Sequence, residues 1–546
     1  MNGFEYVAQI LKAEGVELMT CYPSNPLIET AAKEGIRPVA FRHERGAIMA
    51  ADGISRTCDR QKFGVVAIQS QAGAENALGG IAQAFADNVP ILVLPGGVFL
   101  NQISVKPNFS AAQHYQHITK SVEAIYRPED VGAAMRRAIH ALKNGPPGPV
   151  VVELTQDVCE AEIPDKALNY SAPRMALQQP AHGDIQDAVA ALLKAKNPVL
   201  WAGQGVLFGG ATQALEELAE LTGTPVFCTM PGKSAMDERH PLCLGAGSGL
   251  APKAAFKWLK ESDCLLALGS SLTRTFYGQP IRGNDKILIH NTNNPADINK
   301  DENVDIGLLG DSKLTIEALI EEVKAQRGDT PADVSALAAE IAQVKREWLE
   351  EWQPLLQSDE APLNTYRVIH EIDKNLDRQN SIVTHDAGAP RDSIVPFYTA
   401  TAPHSYVGWG KTTHLGFGIP LMIGAKMANP DKFCLNLMGD GAFGMSGLDI
   451  ETAARSGFAI TTVLLNNGGM ATYPGGFPTA REQFGVSHMQ GDYAQIAEGM
   501  GATGIKVTKP DQMGAALKQA QSLNAEGKTV LIDVHSNMEA KKSHYS

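Results

Sequence analysis

Two short segments carry the residue types that a metal–diphosphate clamp needs. Gly439-Asp440-Gly441-Ala442 follows the apolar run 433–438, and Asn466-Asn467-Gly468-Gly469-Met470 follows the apolar run 460–465. Each run reads as a buried strand. If these strands are neighbours in a parallel sheet, the Asp440 and Asn467 oxygens emerge together at its carboxyl edge, where α/β sheets bind ligands. Mg²⁺ takes hard oxygen donors in octahedral geometry and shares them with phosphate. The glycines beside Asp440 allow close backbone approach, and a helix read over 446–456 offers N–H groups to an anion. Taken singly, either segment is also an ordinary turn.

Positioning such residues requires parallel α/β layers. The chain has 546 residues, too many for one core, and three domains are expected. Three blocks alternate short apolar runs with helical patterns, which predicts an α/β protein of three doubly wound parallel-sheet domains. The first, 1–165, ends in the strand Pro149-Val-Val-Val-Glu-Leu154. The second, 185–330, opens with Asn197-Pro-Val-Leu-Trp201 running into Gly203-x-Gly205. The third, 360–546, carries strands at 381–384, 433–438, 461–466 and 529–534. Polar stretches at 165–184 and 357–362 read as linkers, the latter preceded by a charged helical segment over 331–352.

Composition removes several classes. A formal net charge of −13 leaves no basic surface for nucleic acid. No run of 18 apolar residues predicts a membrane span, and the N-terminus reads as an amphipathic helix and not as a signal peptide. The seven cysteines form no CxxC pair. A reduced, cytoplasmic protein is the simplest expectation.

With 24 residues between Gly441 and Asn466, the two glycine-flanked segments together match the signature of thiamine diphosphate (ThDP) enzymes. The whole chain resembles their acetolactate synthase and pyruvate oxidase family, whose three domains are a pyrimidine-binding, a central Rossmann-like and a diphosphate-binding domain. The resemblance implies that Asp440, Asn467 and the Gly469 carbonyl hold Mg²⁺. Phe41-Arg-His-Glu44 with Ala50-Ala-Asp-Gly53 is similar to the segment bearing the family's catalytic glutamate, so Glu44 is the catalytic candidate. Cys21-Tyr-Pro23-Ser24-Asn25 and Gln71-Ala-Gly73-Ala-Glu-Asn76 match further cofactor-binding segments. Asp386-Ala-Gly388-Ala389 stands for a diphosphate contact. In Trp409–Gly418, Leu415 stands for the apolar fulcrum between the cofactor rings, and Thr413 for the carbonyl that accepts from the 4′-amino group. The implied cofactor set is therefore Pro23, Gly73, Asn76, Gly388, Ala389, Thr413, Leu415, Gly439, Gly441, Ala442, Asn467 and Met470. Ser24, Asn25, Gln113, His114 and Tyr473 are the substrate-facing candidates.

Two departures bear on the substrate. The family's Gln-His pair is Ala389-Pro390 here, and the Trp that synthases place after the paired asparagines is absent from Met470-Ala-Thr-Tyr473. The stretch 442–452 looks closer to oxalyl-CoA decarboxylase and 2-hydroxyacyl-CoA lyase. The expected activity is cleavage or formation of a C–C bond beside a carbonyl, as 2-oxo acid decarboxylation or carboligation on a small-molecule substrate. An acyl-CoA lyase is the alternative, and a non-catalytic binding subunit is the reading from another class. In the resembled family Glu44 of one subunit reaches the cofactor held by another, which implies a homodimer or homotetramer. Gly203-x-Gly205 and Arg274 raise FAD for the central domain, but a plain strand–helix turn is the better reading. The C-terminal stretch 539–546 is basic and reads as a solvated tail.

Overall fold

The computed structural model describes residues 1–60, 62–275, 286–470 and 476–545. Continuous apolar runs set its framework. Gly64–Ile68, Cys264–Leu268 and most of Val530–His535 are buried along their length, the pattern of strands covered on both faces by helices. The first six strands are β1 (Leu18–Cys21), β2 (Arg37–Ala40), β3 (Gly64–Ile68), β4 (Ile91–Gly97), β5 (Ser121–Ala124) and β6 (Val150–Thr155). The next six are β7 (Pro198–Ala202), β8 (Val226–Thr229), β9 (Cys243–Gly247), β10 (Cys264–Leu268), β11 (Ile287–Thr292) and β12 (Ile306–Leu309). The last are β13 (Ser381–His385), β14 (Tyr406–Val407), β15 (Phe433–Gly439), β16 (Thr461–Asn466), β17 (Thr503–Val507) and β18 (Val530–His535).

They form three parallel six-stranded sheets, ordered β2-β1-β3-β4-β6-β5, β12-β11-β10-β7-β8-β9 and β14-β13-β15-β16-β18-β17. The α/β class and the three doubly wound sheets match the expectation. The first and third sheets share one internal order. In each sheet the order reverses beside its first strand, between β1 and β3, β7 and β10, and β13 and β15. Those switch points open crevices at the carboxyl edge.

Residues 1–176, 419–430 and 448–458 pack as one unit. Its first helix, Gly3–Ala13, starts at a capping box in which Asn2 and Glu5 exchange side-chain and backbone bonds of 2.9 Å. Helix Glu44–Arg56 is lined with small residues and crosses helix Gly418–Ala428 at backbone contact. A Cβ at Gly53 would strike the Leu421 carbonyl, and one at Gly424 the Ala50 carbonyl. Residues 177–418, 431–447 and 459–546 form the second unit. There Trp348 and Trp352 of helix Ser335–Leu356 are buried, with Trp348 stacked on Phe397 at 4.6 Å.

Two expectations change. The helix after β15 begins at Asp440 itself (Asp440–Ser446), and a separate helix covers Asp449–Ser456. Asp440 Oδ1 accepts from the Gly441 N–H at 2.8 Å, which lets the chain turn helical at once. The C-terminal stretch is not a solvated tail. Ser543 is fully buried and accepts from Trp348 Nε1 at 3.1 Å, while its carbonyl accepts from Ala251 N at 3.1 Å. Tyr366 Oη donates to the Lys541 carbonyl at 2.6 Å, and Lys542 Nζ donates to Ser393 Oγ at 2.9 Å. Buried indole and phenol donors need partners, and this stretch supplies them.

Candidate active site

In the third sheet β15 and β16 are parallel neighbours, with Gly439 opposite Leu465. Asp440 and Asn467 therefore leave the sheet side by side at its carboxyl edge. Asp440 is buried, and its Oδ2 accepts from the Gly468 N–H at 2.9 Å, tying the two turns together. Burial pushes its carboxyl up, against the bonds from Gly441 and Gly468. Asn467 Oδ1 accepts from Gly469 N at 3.0 Å. Gly468 has a φ of +67°, and the segment is held by bonds from Met470 N to the Ser487 carbonyl (2.8 Å) and from Met489 N to the Gly468 carbonyl (2.9 Å). Met470 packs over Gly441, where a Cβ would lie 2.9 Å from its Cγ.

Across the switch point, Gly388 after β13 has a φ of +83°, and a Cβ there would meet nothing within 4 Å. A Cβ on Gly439 would reach only Pro390, at 4.0 Å. Open backbone thus faces the crevice from both strands, with Ala389 opening helix Ala389–Phe397 beside it. Ala442 is buried one turn beyond Gly439.

The loop carrying Thr413 and Leu415 is shaped by Asp386, which is fully buried. Its Oδ1 accepts from Ala387 N (2.8 Å) and Gly416 N (3.0 Å), and its Oδ2 from Gly418 N (2.9 Å). Trp409 Nε1 donates to the His385 carbonyl at 2.8 Å. Within this frame Thr413 takes a φ of +52°, a strained setting for a β-branched residue. Leu415 is half-buried on an irregular loop, not within a strand.

In the first unit Glu44 is the first residue of helix Glu44–Arg56, capped by His43. Its side chain is buried, and its Oε2 accepts from Asn76 Nδ2 at 3.0 Å. A Cβ on Gly73 would lie 2.8 Å from Glu44 Oε1. Glu44, Gly73 and Asn76 are thus brought together at the carboxyl edge of the first sheet. Pro23 and Ser24 are exposed on the turn after β1. Asn25 differs: its Nδ2 donates to the Ile68 and Leu94 carbonyls, both at 3.0 Å, and its Oδ1 accepts from Leu27 N at 3.0 Å. Its polar atoms are committed to joining β3 and β4. Gln113 and His114 are exposed on the turn Ala111–His114. Tyr473 lies outside the described residues.

Sequence reasoning missed three polar residues. Asp386 stood inside a matched segment, but its bonding role depends on a loop 30 residues away. Asn466 Nδ2 donates to Asp533 Oδ1 at 2.9 Å, behind the Asp440 turn. Glu153, on the strand that closes the first block, is buried and bonded to the loop before Gln113. In the middle sheet, Gly205 N donates to the Gly269 carbonyl at 2.8 Å, and a Cβ on Gly203 or Gly205 would strike the 269–270 backbone. Those glycines serve loop packing, and Arg274 pairs with Glu302 at 2.8 Å.

The donor set and the open backbone fit a metal-bound diphosphate: one carboxylate, one amide oxygen and one carbonyl beside two unobstructed glycines. Models of the thiamine pyrophosphate enzyme N-terminal TPP binding domain, central domain and C-terminal TPP binding domain match residues 1–124, 185–319 and 386–534. The chain is 30 % identical to the "Probable acetolactate synthase large subunit" of Methanocaldococcus jannaschii, over 95 % of this chain and 90 % of that protein. It is 28 % identical to the acetolactate synthase large subunit of Lactococcus lactis (98 % and 92 %) and 26 % identical to isozyme 3 of Escherichia coli (98 % and 94 %). Among the described residues, no helix is long and apolar enough to cross a membrane. Three matched domains in the family's order, and relatives aligned over nearly the full length, make this chain a thiamine diphosphate enzyme of the acetolactate synthase family.

Proposed function

We propose that the chain decarboxylates a 2-oxo acid and joins the remaining acyl unit to a second carbonyl. The relatives' names support this reaction class, and they do not favour the acyl-CoA alternative. The observation that carries the site is the parallel pairing of β15 and β16, bridged from Gly468 N–H to Asp440. Asp440, Asn467 and the Gly469 carbonyl would hold Mg²⁺. Gly388, Ala389, Gly439, Gly441, Ala442 and Met470 would surround the diphosphate. Thr413 would accept from the aminopyrimidine, with Leu415 supporting its bend, and Pro23, Gly73 and Asn76 would line the pyrimidine. When bound, the cofactor supplies a thiazolium carbon that stabilises negative charge beside a carbonyl.

Glu44 would hold and exchange a proton at its carboxyl toward the pyrimidine of the bound cofactor, and Asn76 orients that carboxyl. Burial keeps water from competing for that proton. Ala389 and Pro390 offer the substrate an apolar wall where the family has Gln-His. The functional domains are 1–165, 185–330 and 360–546. The enzyme works as a homodimer or homotetramer, with Glu44 serving the cofactor of a partner subunit, in the reducing cytoplasm that seven free cysteines suit.

A screen of 2-oxo acids, hydroxyacyl-CoAs and acyloins with ThDP and Mg²⁺ tests the reaction. Turnover of a 2-oxo acid supports it, and turnover confined to CoA thioesters overturns it. A competent monomer by light scattering at assay concentration would refute the shared site.

A further inference from the structure

We propose that His114 is a second proton-transferring residue of this active site and that Glu153 is its positioning residue. The proposal rests on the functional reading above. Glu153 lies on β6 with its side chain buried, and it accepts three bonds from one short loop. The donors are Ser110 Oγ at 2.8 Å, Ala112 N at 2.9 Å and Ala111 N at 3.2 Å. Burial pushes the carboxyl up, and these bonds together with the charge of His114 oppose that rise. Among the described residues Glu153 has no lysine or arginine partner, and a buried carboxylate so placed is costly to keep. Here its bonds all go to the turn that presents His114.

The rest of the loop is fixed as firmly. Gln71 Nε2 donates to Asn108 Oδ1 and Gln71 Oε1 accepts from Phe109 N, both at 2.9 Å. Gln71 itself has a φ of +53°, an uncommon setting for a non-glycine residue, and it stands two residues before Gly73, which abuts Glu44. The Phe109 and His114 rings stack at 4.1 Å and 16°. Tyr115, next in sequence, is buried and donates its hydroxyl to the Ala74 carbonyl, between Gly73 and Asn76. One strained turn and one tyrosine therefore tie the His114 loop to the helix that holds Glu44 in place.

The histidine's orientation assigns its reactive nitrogen. Nδ1 lies 2.7 Å from the Ser110 carbonyl. A carbonyl only accepts, so Nδ1 carries hydrogen, and Nε2 is where a proton can come and go. Ring and loop leave His114 exposed at the carboxyl edge of the first sheet, the edge that also carries Glu44. The step balances within the site. The Nε2–H bond breaks as an O–H bond forms on the substrate carbonyl oxygen, and the reverse transfer follows when the carbonyl re-forms.

The test uses the holoenzyme with ThDP, Mg²⁺ and the 2-oxo acid of highest turnover. His114→Gln should lower kcat by about 10²–10⁴-fold. It should leave ThDP affinity by calorimetry and C2–H/D exchange of the bound cofactor unchanged, since exchange depends on Glu44. Glu153→Gln should lower kcat with little change in KM and should add nothing in the His114→Gln background. If Glu153→Gln does not fold, Ser110→Ala replaces it and should show the same non-additivity. Turnover of His114→Gln within threefold of wild type, with Glu44→Gln impaired, overturns this proposal and leaves the functional reading standing. Full exchange and turnover in Glu44→Gln would instead remove the role given to Glu44, and wild-type turnover confined to CoA thioesters would remove the functional reading itself. A purely additive loss in the double variant overturns the role of Glu153.

Discussion

Replacing Glu44 by glutamine separates proton transfer from packing. The fold should barely notice. Glutamine keeps the size of the side chain, and its amide oxygen can still accept from Asn76 Nδ2, now 3.0 Å from Oε2. What is lost is the charge on that bond and the interaction of an anion with the first turn of helix Glu44–Arg56. Each is worth about 0.5–1 kcal/mol, and removing a buried charge offsets part of it. Stability should therefore change by about 1 kcal/mol or less. ThDP affinity should also hold, because the proposed metal and diphosphate contacts lie on other elements. Turnover is another matter, since an amide cannot exchange the proton. A fall of about 10²–10⁴-fold is expected, equal to roughly 3–5 kcal/mol of barrier. Thermal melting, calorimetry with ThDP and Mg²⁺, steady-state turnover and C2–H/D exchange would be measured on one preparation. Unchanged turnover, or a loss of cofactor binding that matches the loss of turnover, would refute the reasoning.

Asp440→Ala removes the one charged oxygen of the proposed metal site, so ThDP retention should disappear, and excess EDTA should reproduce that in the wild type. Undiminished affinity by calorimetry in either case would contradict the clamp. Ending the chain after residue 540 removes the bonds that Trp348, Trp352, Tyr366 and Ala251 make to the last residues. At about 1 kcal/mol each, the loss is roughly 3–5 kcal/mol, seen as a lower melting midpoint and red-shifted tryptophan fluorescence. An unchanged midpoint would show that the docking is incidental. Burial pushes the Asp449 carboxyl up to about 6 from 3.8, against the bonds from Arg42 N and Thr452. Its ionised form therefore opposes folding, and stability present below the unfolded value is lost as pH rises toward 6. Asp449→Asn keeps Oδ1 for both donors and should add at most about 3 kcal/mol of stability at pH 7.5, seen as a higher melting midpoint, with no gain at pH 4. Equal destabilisation at both pH values would be inconsistent with this.

Local patterns were enough to reveal the sheets and the metal-site candidates. Continuous apolar runs such as 264–268 and 433–438 can be satisfied only by burial on both faces. The short glycine-flanked turns after β15 and β16 then follow from where those strands end. The cofactor class came from spacing and from resemblance along the chain, because the residues that approach a diphosphate are held by local turns. Long-range pairing decided what the sequence could not show. Asp386 looked like one more contact in a matched segment until Gly416 and Gly418 came to rest on its carboxylate. Asn25 looked like a substrate residue, but its amide joins two strands through carbonyls, Ile68 and Leu94, that lie 26 residues apart in the chain. The basic C-terminus read as solvated because the burial of its serine cannot be inferred from that residue's own chemistry. The unpaired donors of Trp348 and Tyr366 had to be in place first. Glu153 was hidden for the same reason. A carboxylate in a buried strand declares its purpose only when a distant loop, here residues 110–112, folds over it and supplies the hydrogen bonds.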